Sequence, residues 1–289
     1  MAIQTVGLVV NRAKIQAVQF AHEVIALLTE RGVDVCVDCE CAPVLGRDDI
    51  AVPMESLGNV DLLITLGGDG TILTASHIAA PNGVPILGVH MGQFGFIAET
   101  HPEDLSAHLD EILEGRMNVE ERMMVRGQVV RDKKTIIEAV GLNDVVLSKG
   151  LRAKMLNLQT SFGDEFVATY PADGVVVATP TGSTAYALSA GGPLVTPTVQ
   201  ALLVVPICPH TLAARPLVIP AEEVVSITVE WDGGEVLFSA DGTDIFPLES
   251  GDRVVVRRAE FSTRLVTFAE SSFYRKVRKR LVWAERINT

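Results

Sequence analysis

The pattern of apolar residues changes near residue 118, and this change limits the folds open to the chain. Before it, short apolar runs alternate with segments of helical periodicity, of which Ile15 to Leu28 is the clearest. After it, short β-rich runs follow one another with turn residues between them. We therefore predict an α/β N-terminal domain with a parallel, helix-covered sheet in residues 1–117 and an all-β C-terminal domain in residues 118–270. Residues 271–289 return to a helix-like composition.

The predicted helices of the first domain have recognisable ends. Asn11 is a good N-cap for the helical pattern that follows it, and Gly32 closes that helix. A further helix is predicted from Pro102 to Leu113, with Gly115 after it.

The charge of the chain limits its partners. Its 289 residues carry a formal net charge of −12, which disfavours nonspecific binding to nucleic acid. We interpret the basic cluster 275-RKVRKR-280 as a solvated helix end rather than a surface for acidic lipid or RNA. No apolar run approaches the ~18 residues of a membrane span, and the N-terminus lacks the charged start of a signal peptide. We therefore expect a cytoplasmic protein that binds neither nucleic acid nor membrane.

Three cysteines, Cys36, Cys39 and Cys41, form a C-x-x-C-x-C cluster that invites a metal site. The cluster lacks a fourth ligand at a familiar spacing. Strand alternation would also send Cys36 and Cys39 to opposite faces. We expect reduced thiols and no metal ion held by protein side chains.

A glycine loop, 67-GGDGT-71, follows a predicted strand and precedes a predicted helix. The carboxyl ends of parallel strands are where open α/β sheets bind ligands. Glycines expose N–H groups there to phosphate oxygens, so Gly67, Gly68 and Thr71 are candidate phosphate-loop residues. The loop is neither a Walker A motif nor a G-x-G-x-x-G fingerprint.

Asp69 is an unusual residue for a phosphate loop, because a carboxylate there repels the ligand. Three roles are open to it. It could hold Mg²⁺, take a proton from an attacking hydroxyl, or cap the helix that follows.

A second stretch, 173-DGVVVATPTGSTAYALSAGGP-193, opens as a buried strand and continues with small hydroxyl and glycine residues. Such residues let a ligand approach closely and offer many donors, and Tyr186 adds an aromatic face. The alternative is a loop that only turns the chain. The pair Asn143-Asp144 also has two interpretations: an amide and a carboxylate that recognise adenine and ribose, or an ordinary Asx turn.

Together these stretches resemble the NAD kinase family. The resemblance continues in 88-GVHMGQFGF-96 and 209-PHTLAARPLVIP-220, and it extends from about the fifth residue to beyond residue 240. It implies that the γ-phosphoryl group of ATP is transferred to the 2′-hydroxyl of the adenosine ribose of NAD. It also implies that Asp69 is the general base and that residues 271–289 return to the first domain. Since the chain shows no obvious metal cage, we expect Mg²⁺ to arrive with ATP.

The resemblance further implies a set of residues that contact NAD, most of them in residues 118–270. They are Gly70, Phe96, Asn143, Asp144, Asp173, Thr184, Ala185, Tyr186 and Ser189.

The chain departs from the family pattern at several positions. The family usually has Glu where this chain has Asp144, which is one methylene shorter. It commonly has Asn in place of His90 and Leu in place of Phe94. A lone histidine at a strand end is more often structural than catalytic, so we assign His90 no acid–base role.

Two other hypotheses remain. Lipid kinases share GGDGT, but they typically follow it with Asn-Glu, where this chain has Ile72-Leu73-Thr74, and they lack TPTGSTAY. A non-catalytic NAD(P)-binding regulator could keep the pocket, although binding alone would be better without the charge of Asp69. By analogy with bacterial and archaeal NAD kinases, we expect a homodimer or homotetramer.

Overall fold

The computed structural model describes residues 2–92, 95–98, 100–150, 154–267 and 272–281. They divide into two units, each with its own apolar core. The first unit contains the residues up to Glu121 and those from Ser262 onward, and the second contains Arg122–Phe261.

The first unit alternates strands with helices along the chain. Its strands include β1 (Thr5–Val10), β2 (Asp34–Asp38), β3 (Ala51–Val52), β4 (Leu62–Gly67) and β5 (Pro85–His90). Its helices include α1 (Ile15–Glu30), α2 (Ala42–Leu45), α3 (Asp69–Ala79) and α4 (Pro102–Leu113). The helix predicted from Pro102 to Leu113 is confirmed as α4.

These strands form a parallel sheet in the order β3-β2-β1-β4-β5. The chain leaves β1 toward β2 on one side and later adds β4 on the other side, so the winding reverses between β1 and β4. Open α/β sheets bind ligands at such a switch point, outside the carboxyl ends of the strands. Residues 11–14 follow β1, and Gly68 with the first turn of α3 follows β4, so these two segments border the expected crevice.

Helix α1 covers this sheet with one apolar face, in which Ala17, Ala21 and Val24 are buried at helical spacing. The prediction that Asn11 caps this helix is wrong, because Lys14 occupies the N-cap position. The Asn11 side chain instead accepts a hydrogen bond from the Ala13 N–H at 3.1 Å, which forms an Asx turn ahead of the helix.

The second unit is built almost entirely from strands. They are β6 (Asn118–Arg131), β7 (Lys134–Gly141), β8 (Asp144–Lys149), β9 (Leu156–Phe162), β10 (Glu165–Ala172), β11 (Gly174–Ala178), β12 (Ala201–Ile207), β13 (Leu217–Pro220), β14 (Val225–Glu230), β15 (Val236–Ala240), β16 (Thr243–Pro247) and β17 (Arg253–Thr267). A short helix, α5 (Tyr186–Ser189), follows β11. The end of β17 lies in the first unit, where Arg264 and Leu265 pair in parallel with β5.

Antiparallel pairing organises the second unit into two sheets. One contains β10-β9-β14-β17 and the other β13-β12-β11-β8-β15-β16. Their facing apolar side chains, among them Leu158, Ile227, Val177 and Phe238, form a shared core. The α/β domain with a parallel sheet and the β-rich second domain are therefore confirmed.

Strand β11 is buried on both faces, which explains its unbroken apolar sequence. Val175 and Val177 face the core between the sheets, whereas Val176 and Ala178 pack with Ala187 of α5. This packing fixes α5 next to the loop that leaves β11.

Near its C-terminus the chain forms a sixth helix, α6 (Phe273–Arg280), which belongs to the first unit and buries Val277. Residues 282–289 of the predicted C-terminal segment lie outside the described residues. In the part of the chain that the structure describes, no helix is both long and apolar enough to cross a membrane.

Candidate active site

The GGDGT loop lies where β4 ends and α3 begins, at the predicted edge of the sheet. A Cβ atom on Gly67 would lie 2.0 Å from the Thr71 Oγ1, so only glycine permits this turn. The Thr71 hydroxyl accepts a hydrogen bond from the Gly68 N–H at 3.4 Å, and Gly70 is exposed. The first turn of a helix leaves N–H groups without intrahelical partners, which suits phosphate oxygens at this loop.

Asp69 is half-buried at the first position of α3. Its Oδ2 accepts a hydrogen bond from the Phe96 N–H at 2.8 Å. Its Oδ1 accepts hydrogen bonds from the Ile97 N–H at 3.2 Å and the Ala98 N–H at 3.0 Å. These bonds tie the carboxylate to the segment after β5 rather than to the first turn of α3. Helix capping is therefore the wrong explanation for Asp69.

Gly95 allows the close approach between Asp69 and this segment. A Cβ atom on Gly95 would lie 1.8 Å from the Asp69 Oδ1, and no side chain fits in that distance. The position of the carboxylate thus depends on residues 95–98, which we call the holding segment. The Phe94 departure from the family pattern lies outside the described residues.

Lys14 brings to the glycine loop a cation that the sequence patterns did not indicate. Its Nζ donates a hydrogen bond to the Met91 carbonyl at 2.8 Å. It also lies 4.0 Å from a Cβ atom built on Gly68. The rule that open α/β sheets bind ligands at the switch point could have indicated Lys14. Lys14 follows β1 and the glycine loop follows β4, on either side of that point.

Helix α6 places two more cations at the holding segment. The Lys276 Nζ donates a hydrogen bond to the Phe96 carbonyl at 3.1 Å. The Arg280 guanidinium lies over the Phe96 ring, 5.6 Å from its centroid. The prediction of a solvated helix end is wrong for Lys276, which is partly buried, whereas Arg280 is exposed at the end of α6.

His90 is buried at the end of β5, with its ring centroid 4.2 Å from that of His101. Burial first, and then the charge of His101, lowers the pKa of His90. A neutral, buried ring agrees with the structural role expected for it.

In the second unit, Asp241 fixes the backbone between β7 and β8, which we call the Asn143-Asp144 corner. Its Oδ2 accepts a hydrogen bond from the Leu142 N–H at 2.7 Å. Its Oδ1 accepts hydrogen bonds from the N–H groups of Asn143 at 2.8 Å and Asp144 at 3.1 Å. Asp241 has φ +49° at the β15–β16 turn, so the residue serves both the hairpin and the corner.

The loop after β11 is fixed against the same corner. The Thr179 hydroxyl donates a hydrogen bond to the Leu142 carbonyl at 2.6 Å, and the Thr179 N–H bonds to the Asn143 carbonyl at 2.8 Å. A Cβ atom on Gly182 would lie 2.1 Å from the Asn143 carbonyl oxygen. The TPTGST loop and the Asn143-Asp144 pair, distant in sequence, therefore form one surface.

Asp144 is buried, and its environment favours the neutral carboxyl group. Burial, and to a lesser degree the charge of Asp241, raises the pKa of Asp144 to about 7. The shorter carboxyl group at this departure from the family is thus poised to titrate near neutral pH.

Asp173 makes ion pairs beside this corner. Its Oδ1 lies 2.6 Å from the Lys149 Nζ and 3.6 Å from the His210 Nε2. The contact with His210 is ionic when the imidazole is protonated.

The remaining predicted NAD contacts lie on the TPTGSTAY segment. The Thr184 hydroxyl donates a hydrogen bond to the Thr181 carbonyl at 3.1 Å, and Ala185 is half-buried. Tyr186 and Ser189 are exposed. Although the side chain is exposed, the partial burial of Tyr186 raises its pKa, and the charges of Cys208, Asp144 and Asp173 add to this effect.

The predicted site residues thus fall into two sets, one in each unit. The first unit holds Gly67, Gly68, Asp69, Gly70, Thr71 and Phe96, and the second holds Asn143, Asp144, Asp173, Thr184, Ala185, Tyr186 and Ser189. Among the described residues, no group of three or more His, Cys, Asp or Glu side chains could hold a metal ion.

A glycine loop with a fixed carboxylate and nearby cations, at the edge of a parallel sheet, is a site suited to a phosphotransferase, because phosphoryl transfer depends on positioning and on neutralising charge. Residues 6–117 match the ATP-NAD kinase N-terminal domain, and residues 142–268 match the ATP-NAD kinase C-terminal domain. The chain therefore belongs to the NAD kinase family and has NAD kinase function.

NAD kinases from other organisms are similar in sequence to almost the whole chain. The NAD kinase of Symbiobacterium thermophilum is 48% identical over 276 residues, which cover 95% of this chain and 98% of that protein. The NAD kinase of Moorella thermoacetica is 42% identical and covers 96% of this chain and 89% of its own length.

Solved structures share the fold. A yeast NADH kinase complexed with NADH has a TM-score of 0.92 at 28% identity, over 100% of this chain and 91% of the yeast chain. An NAD kinase from Archaeoglobus fulgidus in complex with ATP has a TM-score of 0.74 at 23% identity, over 96% of this chain and 98% of that one.

Proposed function

We propose that the chain transfers the γ-phosphoryl group of ATP to the 2′-hydroxyl of the adenosine ribose of NAD, and that Asp69 is the general base. The proton of the hydroxyl passes to Asp69, the new O–P bond forms, and the bond from the γ-phosphorus to ADP breaks. The Asp69 carboxylate, fixed beside the glycine loop, carries the proposal. A negative charge there opposes phosphate binding, and a proton acceptor for the attacking hydroxyl is the task that we assign to it. Its bonds to the holding segment keep it in place for that task.

The hydrogen bonds of Asp69 leave room for that task. A carboxylate offers about four acceptor positions. The three backbone donors occupy two positions on Oδ1 and one on Oδ2. Among the bonds that the described residues make, one position on Oδ2 is then left for a substrate hydroxyl.

Phosphoryl transfer depends mainly on positioning and on neutralising charge. We assign the phosphate chain of ATP to Gly67, Gly68 and Thr71, with Lys14 as the nearby cation. Since the described side chains form no metal cage, Mg²⁺ enters as part of the MgATP substrate and keeps several of its waters.

Recognition of NAD is assigned to the corner and the loop of the second unit. The Asn143 amide suits the polar edge of adenine, and the Asp144 carboxyl group suits ribose hydroxyls. Tyr186 supplies an exposed aromatic face for a base or ribose. The remaining contacts are assigned to Gly70, Phe96, Asp173, Thr184, Ala185 and Ser189.

We further propose the ligands, the oligomeric state and the location of the protein. The ligands named for the yeast and archaeal structures, NADH and ATP, support NAD and ATP as the ligands of this chain. The family supports a cytoplasmic homodimer or homotetramer that binds neither nucleic acid nor membrane. The match to both domains of the family argues against a lipid kinase.

One assay tests the reaction. Purified protein with Mg²⁺ and ATP is given NAD⁺ or a diacylglycerol dispersion, and both products are quantified. We expect NADP⁺ at a kcat of about 1–10³ s⁻¹ and no phosphatidate. Phosphatidate without NADP⁺ would restore the lipid kinase hypothesis. NAD⁺ binding without turnover would restore the regulator.

A further inference from the structure

One peptide group joins helix α6 to the proposed base. The Phe96 carbonyl accepts the hydrogen bond from the Lys276 Nζ, and the N–H of the same peptide group belongs to Ile97. That N–H donates to the Asp69 Oδ1. An ammonium on the carbonyl polarises the amide and strengthens its N–H as a donor, because linked hydrogen bonds reinforce one another.

The Lys276 ammonium lies in an environment that is costly for a cation. Burial lowers the pKa of Lys276 to about 8, and the charge of Asp69 on α3 opposes that shift. Arg280, one turn further along α6, lies over the ring of Phe96, whose carbonyl Lys276 binds. Both cations therefore contact Phe96, which is the first residue of the holding segment that donates a hydrogen bond to Asp69.

The apolar docking of α6 does not need this lysine. Val277 is the buried residue of the helix, with a 4% exposed surface, whereas Arg275 and Arg278 are exposed. A helix held only by packing could carry any polar residue at position 276. The packing of α6 therefore does not explain why Lys276 donates a hydrogen bond to the Phe96 carbonyl.

We propose that Lys276 is a positioning residue for phosphoryl transfer: it holds the Phe96 carbonyl and so orients the N–H groups that fix Asp69. Lys276 acts through the holding segment and does not touch the substrate. This inference rests on the proposed role of Asp69, and it gives one side chain of α6, Lys276, an indirect part in the reaction.

The first test replaces the lysine in the full chain and separates kcat from KM. Lys276→Met should lower kcat by about 10- to 100-fold, the scale of a catalytic group displaced by about 1 Å. The KM values for ATP and NAD⁺ should change less than about threefold, because uniform binding is retained. Lys276→Arg should recover much of the kcat, since a guanidinium also donates to a carbonyl. The matched control Arg278→Met removes a charge from the exposed face of α6 and should retain the wild-type kcat.

The second test asks whether Lys276 acts through Asp69. In an Asp69→Asn background, Lys276→Met should lower kcat by less than about threefold, because residues that act as a unit are strongly non-additive. Melting temperatures of all variants show that each chain is folded at the assay temperature.

The outcomes separate this inference from the proposed function. A large kcat loss in Asp69→Asn with a wild-type kcat in Lys276→Met overturns the positioning role and leaves the base in place. A wild-type kcat in Asp69→Asn overturns the base and the positioning role together. A raised KM for ATP with unchanged kcat in Lys276→Met would make Lys276 a phosphate ligand, which also overturns the inference.

Discussion

Asp241 accepts a hydrogen bond from the Asn143 N–H at 2.8 Å, although the two residues lie 98 positions apart in the chain. The same carboxylate also binds the N–H groups before and after Asn143. Asp69 makes the matching arrangement with three successive N–H groups of the holding segment. In each unit, one carboxylate therefore fixes the backbone of a short loop that carries predicted site residues.

Replacing Asp241 should loosen the Asn143-Asp144 corner. Asp241→Asn keeps the tolerance for positive φ but turns an N–H₂ group toward a backbone donor. The free energy of unfolding should fall by about 1–3 kcal/mol, the cost of a buried donor without a partner. The Kd for NAD⁺, measured by calorimetry, should rise. Asp232→Asn, at an exposed turn, should change neither quantity, and an unchanged Kd in Asp241→Asn would show that the corner does not contact NAD.

The buried carboxyl group of Asp144 should make stability depend on pH. Its pKa is about 7 in the folded chain against an ordinary 3.8, so the folded state binds the extra proton between these values. Stability should therefore fall as pH rises from about 4 to about 7, by about 4 kcal/mol in total.

The Asp144→Asn variant tests this dependence, because the amide has a similar size and does not titrate. Its melting temperature should exceed that of the wild type at pH 8 and match it near pH 4. The control Asp164→Asn, at the exposed β9–β10 turn, should follow the wild-type curve throughout. If the melting temperatures of Asp144→Asn and the wild type differed by the same amount at every pH, the raised pKa of Asp144 would be contradicted.

Local patterns in the sequence located the sheet, helix α4 and the glycine loop, because periodicity and turn chemistry act over a few residues. They did not indicate the contacts of Lys14 and Lys276, and for Asp241 they left a hairpin turn and an approach to the ligand both open. Each of these three side chains bonds to a backbone group far away in the sequence. The separations are 77 residues for Lys14, 180 for Lys276 and 97 to 99 for Asp241. A backbone acceptor or donor leaves no mark in the identity of its residue, so local patterns could not reveal these bonding partners; only the strand order brings Lys14 near the glycine loop.

Lys14 should contribute to the affinity for ATP and little to that for NAD⁺. Lys14→Met should raise the KM for ATP by about 10- to 100-fold, the scale of one hydrogen bond to a charged group. The matched control is Arg12→Met in the same loop, where the arginine pairs with Glu40 on the surface. An equal effect of the two substitutions would assign the change to general charge and remove Lys14 from the phosphate site.

The pKa of Lys276 should appear in the pH profile of kcat. The ammonium is present below about 8, and Asp69 is the charged group that faces it from α3. If the charged form orients Asp69, kcat should fall as pH rises through about 8. In Lys276→Arg this fall should disappear, because a guanidinium keeps its charge well above that pH. The same alkaline fall in both proteins would place the ionisation elsewhere.

Asp69→Asn tests the central chemical assignment. Loss of the proton acceptor should lower kcat by about 10²–10⁴-fold, with the Kd for NAD⁺ nearly unchanged. The structure adds a second effect, since the Asn amide would oppose a backbone N–H of the holding segment. The free energy of unfolding should then fall by about 1–3 kcal/mol. Assays well below the lowered melting temperature keep the two effects apart.

Two further measurements complete that test. An Mg²⁺ titration of the Asp69→Asn variant should leave the metal requirement unchanged, whereas recovery of activity at high Mg²⁺ would assign Asp69 to metal binding. A Gly95→Ala variant retains the carboxylate but crowds it, because the new Cβ atom would fall 1.8 Å from Oδ1. It should therefore lose kcat as well. If Gly95→Ala lowered the melting temperature and left kcat intact, the position of the carboxylate would not matter for the reaction, and the assignment of Asp69 as the base would fail.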